Sequence, residues 1–297
     1  MFVITFQKFF IGLSAFFVAI SIAAVLVFGI PLGIDFKGGS QLEVRYPNGR
    51  PEIASIKSSL TTLPDALIQP TGDNGISIKT HTITEAEKNA VVATLSKDAK
   101  VTEASFTTIG PSVGAELKQK AITSIILVLI AIILFVAYAF RKVSYPVSSW
   151  KYGAAVIIAL IHDIAIPLGA FAILGHYTGA ELDTLFVVAL LTTLALSISD
   201  TIVVFDRIRE HLGADHKHNL PFEQVVGESL NETFARSINT SLVVLVMVIT
   251  LAIVGPKSTQ LFATVLAIGM FFGTYSSIFL ASPLLVLFEK YQKKNKK

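Results

Sequence analysis

The chain has 297 residues and a formal net charge of +3; 53% of its residues are hydrophobic and 15% are charged. Soluble domains carry about 25% charged residues, so this balance excludes a soluble globular protein and points to a membrane. The absence of cysteine excludes disulfide and thiolate chemistry, and the small net charge calls for no nucleic-acid partner.

Six apolar runs are long enough to cross a bilayer, which takes about 20 residues. They lie at 9–30, 121–140, 152–174, 185–205, 238–254 and 261–288. The first run is too long for a signal peptide and no small-x-small cleavage pattern follows it, so it reads as an uncleaved anchor. The expected domains are a first span (1–30), an outer domain (31–120), a five-helix bundle (121–288) with a cytoplasmic loop at 206–235, and a basic tail (289–297).

The outer segment has soluble composition and its own rhythm. Leu42, Val44 and Tyr46 alternate within 34–46 and predict a strand. Pro51 opens a helical stretch with apolar Ile53, Ile56 and Leu60. Asp73-Asn74-Gly75 predicts a hairpin between 66–71 and 75–80. Thr84 and Glu87 form a capping box before a helix to about Lys97, and 101–109 reads as a last strand. The order β-α-β-β-α-β predicts an α+β ferredoxin-like domain inserted after the first of six transmembrane helices. Gly38-Gly39 reads as a turn or bulge within the first strand, and His81 as structural or solvated. The domain offers no nucleophile with a base, no phosphate loop and no metal cluster, so neither an enzyme nor a cofactor is expected.

Orientation follows from the Lys/Arg bias of the short loops. Arg141, Lys142 and Lys151 lie between spans two and three. Arg207, Arg209 and Lys217 lie between spans four and five, and Lys290, Lys293, Lys294, Lys296 and Lys297 form the tail. The opposite loops, 176–183 and 255–259, hold only Lys257. Both termini are expected in the cytoplasm and the outer domain outside. His211, His216 and His218 near Asp215 lack fixed ligand spacing and read as a solvated loop rather than a metal site. Phe222, Val225, Val226, Leu230 and Phe234 line one face of an amphipathic helix before span five.

The stretch LALSISDTIVVFDRIRE (194–210) places Asp200 in a segment otherwise fit for lipid. A charged Asp at mid-membrane costs about 2.5–3.5 kcal/mol on the insertion scale. Thr193, Ser197, Ser199 and Thr201 surround it. His162 and Asp163 lie in span three, and Arg236 lies near the start of span five, followed by Asn239, Thr240 and Ser241. At 1.5 Å per residue, His162 is about 15 Å and Asp200 about 8 Å from the cytoplasmic ends of their spans. The long Arg236 side chain reaches inward, so these groups are expected to meet in the cytoplasmic half. Burial and a nearby Arg act in opposite directions on a carboxylate's hold on its proton, so moving Arg236 against Asp200 would load and unload it. The same residues also fit a static Asp–Arg pair. His162-Asp163 reads equally as a second relay member or as a support. Gly269 and Gly273, extended by Ser276 and Ser277, predict a close helix contact, and Pro283 a kink or end of the last helix.

These motifs carry a resemblance. GIDFKGGS (33–40), LIHDI (160–164), SISDTIVVFDRIRE (197–210) and ARSINTS (235–241) are similar to those of the SecF family, membrane subunits that partner SecD in bacterial Sec protein export. The resemblance covers essentially the whole chain and implies one half of a resistance-nodulation-division transporter. It implies a SecD-like second half, Sec channel subunits and exported polypeptide as partners, and a multi-pass place in the bacterial inner membrane. It implies coupling of a proton or sodium gradient to translocation, with Asp200 as the ion-coupling carboxylate and Arg236 as its basic partner. Gly33, Asp35, Phe36, Gly38 and Gly39 match the family's outer motif. The usual Gly-Tyr-Ser-(Ile/Leu)-Asn-Asp reads here as Ala195-Leu196-Ser197-Ile198-Ser199-Asp200, a departure that bears on helix packing and the choice of ion. The alternative is a small-molecule or lipid exporter of the same superfamily.

Overall fold

The computed structural model describes residues 2–97, 99–141, 147–214 and 220–294. Lys142, Asp215, His216, Lys217, His218, Lys296 and Lys297, named above for orientation or metal binding, lie outside them. The chain divides into two compact units. One joins Leu32–Thr123 with Glu181–Thr184; the other comprises Met1–Pro31, Ser124–Ala180 and Leu185–Lys297.

The first unit is built on a four-stranded sheet. Strands β1 (Gly39–Arg45), β2 (Leu67–Thr71), β3 (Gly75–Thr80) and β4 (Thr102–Ile109) are arranged β2-β3-β1-β4, all antiparallel. This order is compatible with the ferredoxin-like arrangement. Period-2 alternation sends Leu42, Val44, Ile76 and Ile78 to one face, where register pairs Leu42 with Ile78 and Val44 with Ile76. Helices α4 (Ile53–Ser59) and α5 (Glu85–Leu95) cover that face with Ile56, Val91 and Leu95. The capping box forms: the Thr84 amide donates to Glu87 Oε2 at 2.7 Å and the Glu87 amide to Thr84 Oγ1 at 3.3 Å.

The expected first strand begins later than its alternation suggested. Ile34–Lys37 forms a short helix, α3, and the chain turns into β1 through Gly38 and Gly39. Both have positive φ, 78° and 143°. A Cβ on Gly38 would lie 2.8 Å from Pro111 Cα, and one on Gly39 would lie 2.5 Å from the Thr80 carbonyl oxygen. The pair is therefore a turn at the head of the strand, pressed against backbone, where no side chain fits.

The second unit holds helices α1 (Phe2–Thr5), α2 (Gln7–Phe28), α7 (Ser149–Thr178), α9 (Phe222–Val254) and α10 (Lys257–Ser276), with the greater part of α6 (Pro111–Ala139) and α8 (Thr184–Ala214). A π-helical turn, Ser277–Ala281, joins α10 to α11 (Ser282–Lys294). Among the described residues, six helices are long and apolar enough to cross a membrane. The amphipathic segment from Phe222 runs unbroken into the fifth span as α9, with Phe222, Val225, Val226 and Leu230 buried and Phe234 exposed. Pro283 does not end the sixth span: it lies in the first turn of α11, directly after the π turn Ser277–Ala281. A proline within a helix lacks an amide donor and crowds the carbonyl four residues back, and a π turn is one way for a helix to accommodate it. The Ser282 hydroxyl donates to the Ser277 carbonyl at 3.3 Å across that turn.

Small residues set the helix spacing. A Cβ on Gly169 of α7 would lie 2.3 Å from Ser21 Cα of α2. A Cβ on Gly269 of α10 would lie 2.4 Å from Thr193 Oγ1 of α8, and one on Gly273 would lie 3.0 Å from Ser197 Cβ. The expected close contact at Gly269 and Gly273 is thus made with the fourth span, where only small side chains let the backbones approach.

Candidate ion-coupling site

Two carboxylates face different surroundings within the helical unit. Asp163, on α7, is fully buried. Its Oδ2 accepts from Ser197 Oγ of α8 at 2.5 Å and from Ser276 Oγ of α10 at 2.9 Å, and its Oδ1 lies 2.9 Å from His162 Nδ1. The i to i+3 spacing that puts Ser197 and Asp200 on one face of α8 turns Ser197 toward α7 and α10. Ser197, Ser276 and Ser277 are all buried. Thr201 Oγ1 lies 2.8 Å from Ser277 Oγ, and Ser277 Oγ donates to the Ser197 carbonyl at 3.0 Å. The third, fourth and sixth spans are thereby laced together by hydroxyls around one carboxylate.

A buried carboxylate is tolerated only where its oxygens are paired, and three donors meet that need here. His162 is less well served. Its ring stacks with Tyr275 at 6.0 Å, but its buried Nε2 has no hydrogen-bond partner among the described residues. Tyr275 itself donates to the Phe10 carbonyl at 3.0 Å, tying the sixth span to the first.

Asp200 is half-buried and its recorded partner is Ser241 of α9, whose Oγ donates to Oδ2 at 3.0 Å. The carboxylate lines a cavity of about 70 Å³ with Leu196, Ser197, Ser199, Thr240, Ser241 and Thr274 among its walls. The apolar walls include Val244 and Met270, and the Asp200 carboxylate and neighbouring hydroxyls supply the polar partners that a water in a space of that size needs. Arg236 is exposed and makes no ion pair with Asp200 among the described residues, although its charge acts on the carboxylate electrostatically. Ser199, Asn239 and Thr240 are exposed, whereas Thr193 and Thr201 are buried. The structure thus brings Asp163, His162 and Ser197 into one cluster and places Asp200, Ser199 and Thr240 at another, with Ser197 common to both.

The outer motif has its own geometry. The Gly33 amide donates to the Leu182 carbonyl at 2.8 Å. Asp35 Oδ2 accepts from the Thr184 amide at 2.9 Å and from its hydroxyl at 2.8 Å. Phe36 is buried. Lys79 pairs with Glu181 at 3.0 Å. These contacts all lie within the first unit, and they read as architecture rather than chemistry.

Ser276 and Ser277 carry hydrogen bonds that sequence reasoning assigned only to packing. The available signal was two adjacent hydroxyls in an apolar span.

Comparison with known proteins gives the family and the fold. Residues 88–291 match the model for the protein export membrane protein SecD/SecF, C-terminal, and residues 23–46 match the SecD/SecF GG motif. A protein translocase subunit SecF from Thermobaculum terrenum is 40% identical over 89% of this chain and 86% of its own length. One from Anaerolinea thermophila is 35% identical over 96% and 95%. The crystal structure of SecDF from Thermus thermophilus, a translocon-associated membrane protein, superposes with a TM-score of 0.84 at 28% identity over 97% of this chain. A second SecDF structure, in the super-membrane-facing form, gives 0.71 at 29% identity. The chain spans only 38% and 39% of the length of those two SecDF chains. Sequence and fold together make the chain a member of the SecD/SecF family of protein-export membrane proteins, on the SecF side.

Proposed function

We propose that the chain is an auxiliary subunit of the Sec protein-export machinery, coupling a transmembrane proton or sodium gradient to protein translocation together with a SecD-like partner. The observation that carries this reading is Asp200. It is an ionisable group at span depth, half-buried at a small cavity, held by one hydroxyl and within the field of Arg236. Intramembrane ionisable groups are functional by default. Asp200 would take and release the ion. Arg236 would bias it by approaching or withdrawing, and Ser199, Ser241 and Thr240 would offer oxygens along the cavity. His162 and Asp163, with Ser197, Thr193 and Thr201 around them, would form the inner end of the relay.

Arg236, Ser199, Asn239 and Thr240 are exposed on the fourth and fifth spans. Polar groups at that depth are costly against lipid, which supports a second chain shielding them. The Lys/Arg bias supports cytoplasmic termini. With no native cysteine to interfere, Asn74→Cys should react with an impermeant thiol reagent outside intact cells, and Asp215→Cys should not. The reverse pattern would overturn the orientation.

The function is tested in vesicles holding the Sec channel and a SecD-like chain, with and without this chain. Gradient-stimulated translocation should require it. Equal stimulation in its absence would remove it from the export cycle.

A further inference from the structure

The hydroxyls around Asp163 have a choice of acceptor. Ser276 Oγ lies 2.9 Å from Asp163 Oδ2 and 2.9 Å from the Gly273 carbonyl oxygen. Ser197 Oγ lies 2.5 Å from Asp163 Oδ2 and 3.4 Å from the same carbonyl. A hydroxyl has one hydrogen to donate, so each serine donates to one oxygen at a time. With Asp163 ionised, both donate to it. With Asp163 neutral, its own O–H donates to a serine, and that serine's hydrogen turns to Gly273. The site therefore satisfies its hydrogen bonds in either state of the carboxyl. A static strut needs only one such arrangement.

Two further observations point the same way. Ser197 also lines the Asp200 cavity, whereas Asp163 does not. Ser197 is thus the residue shared by that cavity and the buried carboxylate. His162 Nε2, fully buried, has no partner among the described residues, which leaves one ring nitrogen uncommitted while Nδ1 faces Asp163 Oδ1.

We propose that Asp163 is a proton site in its own right, loaded through the hydroxyl of Ser197 and read by the hydroxyl of Ser276. In loading, a hydronium in the cavity beside Asp200 gives a proton to Ser197 Oγ and is left as water, while Ser197 passes its own hydrogen to Asp163 Oδ2. One proton moves inward, the serine is restored, and no heavy-atom bond changes. The oxygens around Oδ2 stand at hydrogen-bond spacing, 2.5 Å and 2.9 Å. That spacing suits a hydrogen between each pair, which is the geometry of a proton site. When the new O–H swings from Ser197 to Ser276, the Ser276 hydrogen turns to the Gly273 carbonyl, which already accepts the Ser277 amide and lies 3.0 Å from Ser277 Oγ. That carbonyl sits at the entry to the π-helical turn Ser277–Ala281, and π turns recur at functional sites. The state of Asp163 is thereby passed to the widened turn of the sixth span. The other titratable groups facing the site are His162 on its own helix, Tyr275 on the sixth span and Asp200 across Ser197 on the fourth. The first span, packed on the third, carries Lys8 as its one charged residue.

The purpose of this site rests on the ion-coupling reading above, but its measurement does not. The test is infrared difference spectroscopy of the full chain in phosphatidylethanolamine–phosphatidylglycerol vesicles, acid minus neutral, in sodium-free buffer. The wild type should show a carboxylic-acid carbonyl band that Asp200→Asn retains, Asp163→Asn loses and Ser276→Ala shifts. If Asp163→Asn does not fold, the shift in Ser276→Ala decides alone. Absence of the band from the wild type, or its persistence unshifted in Ser276→Ala, would overturn the proposal. So would the same spectral change produced by adding sodium at constant pH. Export is not measured here, so failure at Asp163 leaves a coupling role for Asp200 standing, and the reverse also holds.

Discussion

Asp163 and Asp200 lie on consecutive spans and share a wall at Ser197, yet they are held in opposite ways. Asp163 is fully buried and tied by Ser197, Ser276 and His162 from three positions. Asp200 is half-buried, takes one hydroxyl from Ser241 and opens on a cavity. The difference separates two tasks that one carboxylate cannot perform together. A group that exchanges with the aqueous side needs room and few ties. A group that carries information between helices needs ties to each of them. The surroundings of Asp200 suit the first task and those of Asp163 the second.

The comparison is broken most severely by truncation. Asp163→Ala leaves the imidazole without its acceptor and two buried hydroxyls with only the Gly273 carbonyl to share, and should cost about 3 kcal/mol of stability. Asp200→Ala removes a single interhelical hydrogen bond and should cost at most about 1 kcal/mol. Thermal unfolding of the purified full chain in mild detergent checks both. Equal losses would erase the distinction.

A steric change sharpens it next. The Cβ of Gly269→Ala would sit 2.4 Å from Thr193 Oγ1 and 2.7 Å from its Cγ2, forcing the fourth and sixth spans apart. Overpacking of this kind costs about 1–3 kcal/mol. It should loosen the Ser197–Asp163–Ser276 cluster while leaving the Asp200–Ser241 bond between the fourth and fifth spans intact. Hydrogen exchange along α8 and α10 measures this, and unchanged protection at Ser276 would contradict it.

The smallest effect lies in the outer domain, where electrostatics are local. The Thr84 amide and hydroxyl hold the Glu87 carboxyl below the usual carboxylate range. A depressed pKa stabilises the folded form above the unfolded pKa, and the contribution is lost as pH falls through the folded one. Exchange at the first turn of α5 should therefore rise, beyond its intrinsic rate change, as pH falls below the normal glutamate range. Thr84→Ala should remove that dependence. A profile unaffected by the substitution would show that the cap does not secure the helix start.

What was legible in the sequence follows the range of the forces involved. Span number, the capping box and the alternation of Leu42, Val44 and Tyr46 are local patterns, and the structure shows each of them. The start of β1 was misplaced because Ile34–Lys37 is apolar enough to extend a strand pattern but is stopped by Gly38 and Gly39. Their role depends on Pro111 and Thr80, which lie far along the chain. Pro283 signalled a disturbance, but the form it took, a π turn, depends on packing around Ser277 and Ser282. At the site, the ionisable residues were visible one by one. Their partners were not: Ser241 rather than Arg236 bonds Asp200, and Ser276 bonds Asp163 across the bundle. A hydroxyl in an apolar span does not state its partner until the helices are set side by side.

The central claim is that the titratable charge of Asp200 drives export. Asp200→Asn keeps size and hydrogen-bonding capacity but cannot titrate. One charge crossing 100 mV is worth about 2.3 kcal/mol, enough to bias a conformational cycle by roughly fiftyfold. The measurement is gradient-stimulated translocation in vesicles containing the Sec channel and a SecD-like partner, at matched protein levels. The Asn variant should fold, bind its partner and lose the stimulation by the gradient. Near-normal stimulation would contradict the account and leave Asp200 as a strut between the fourth and fifth spans.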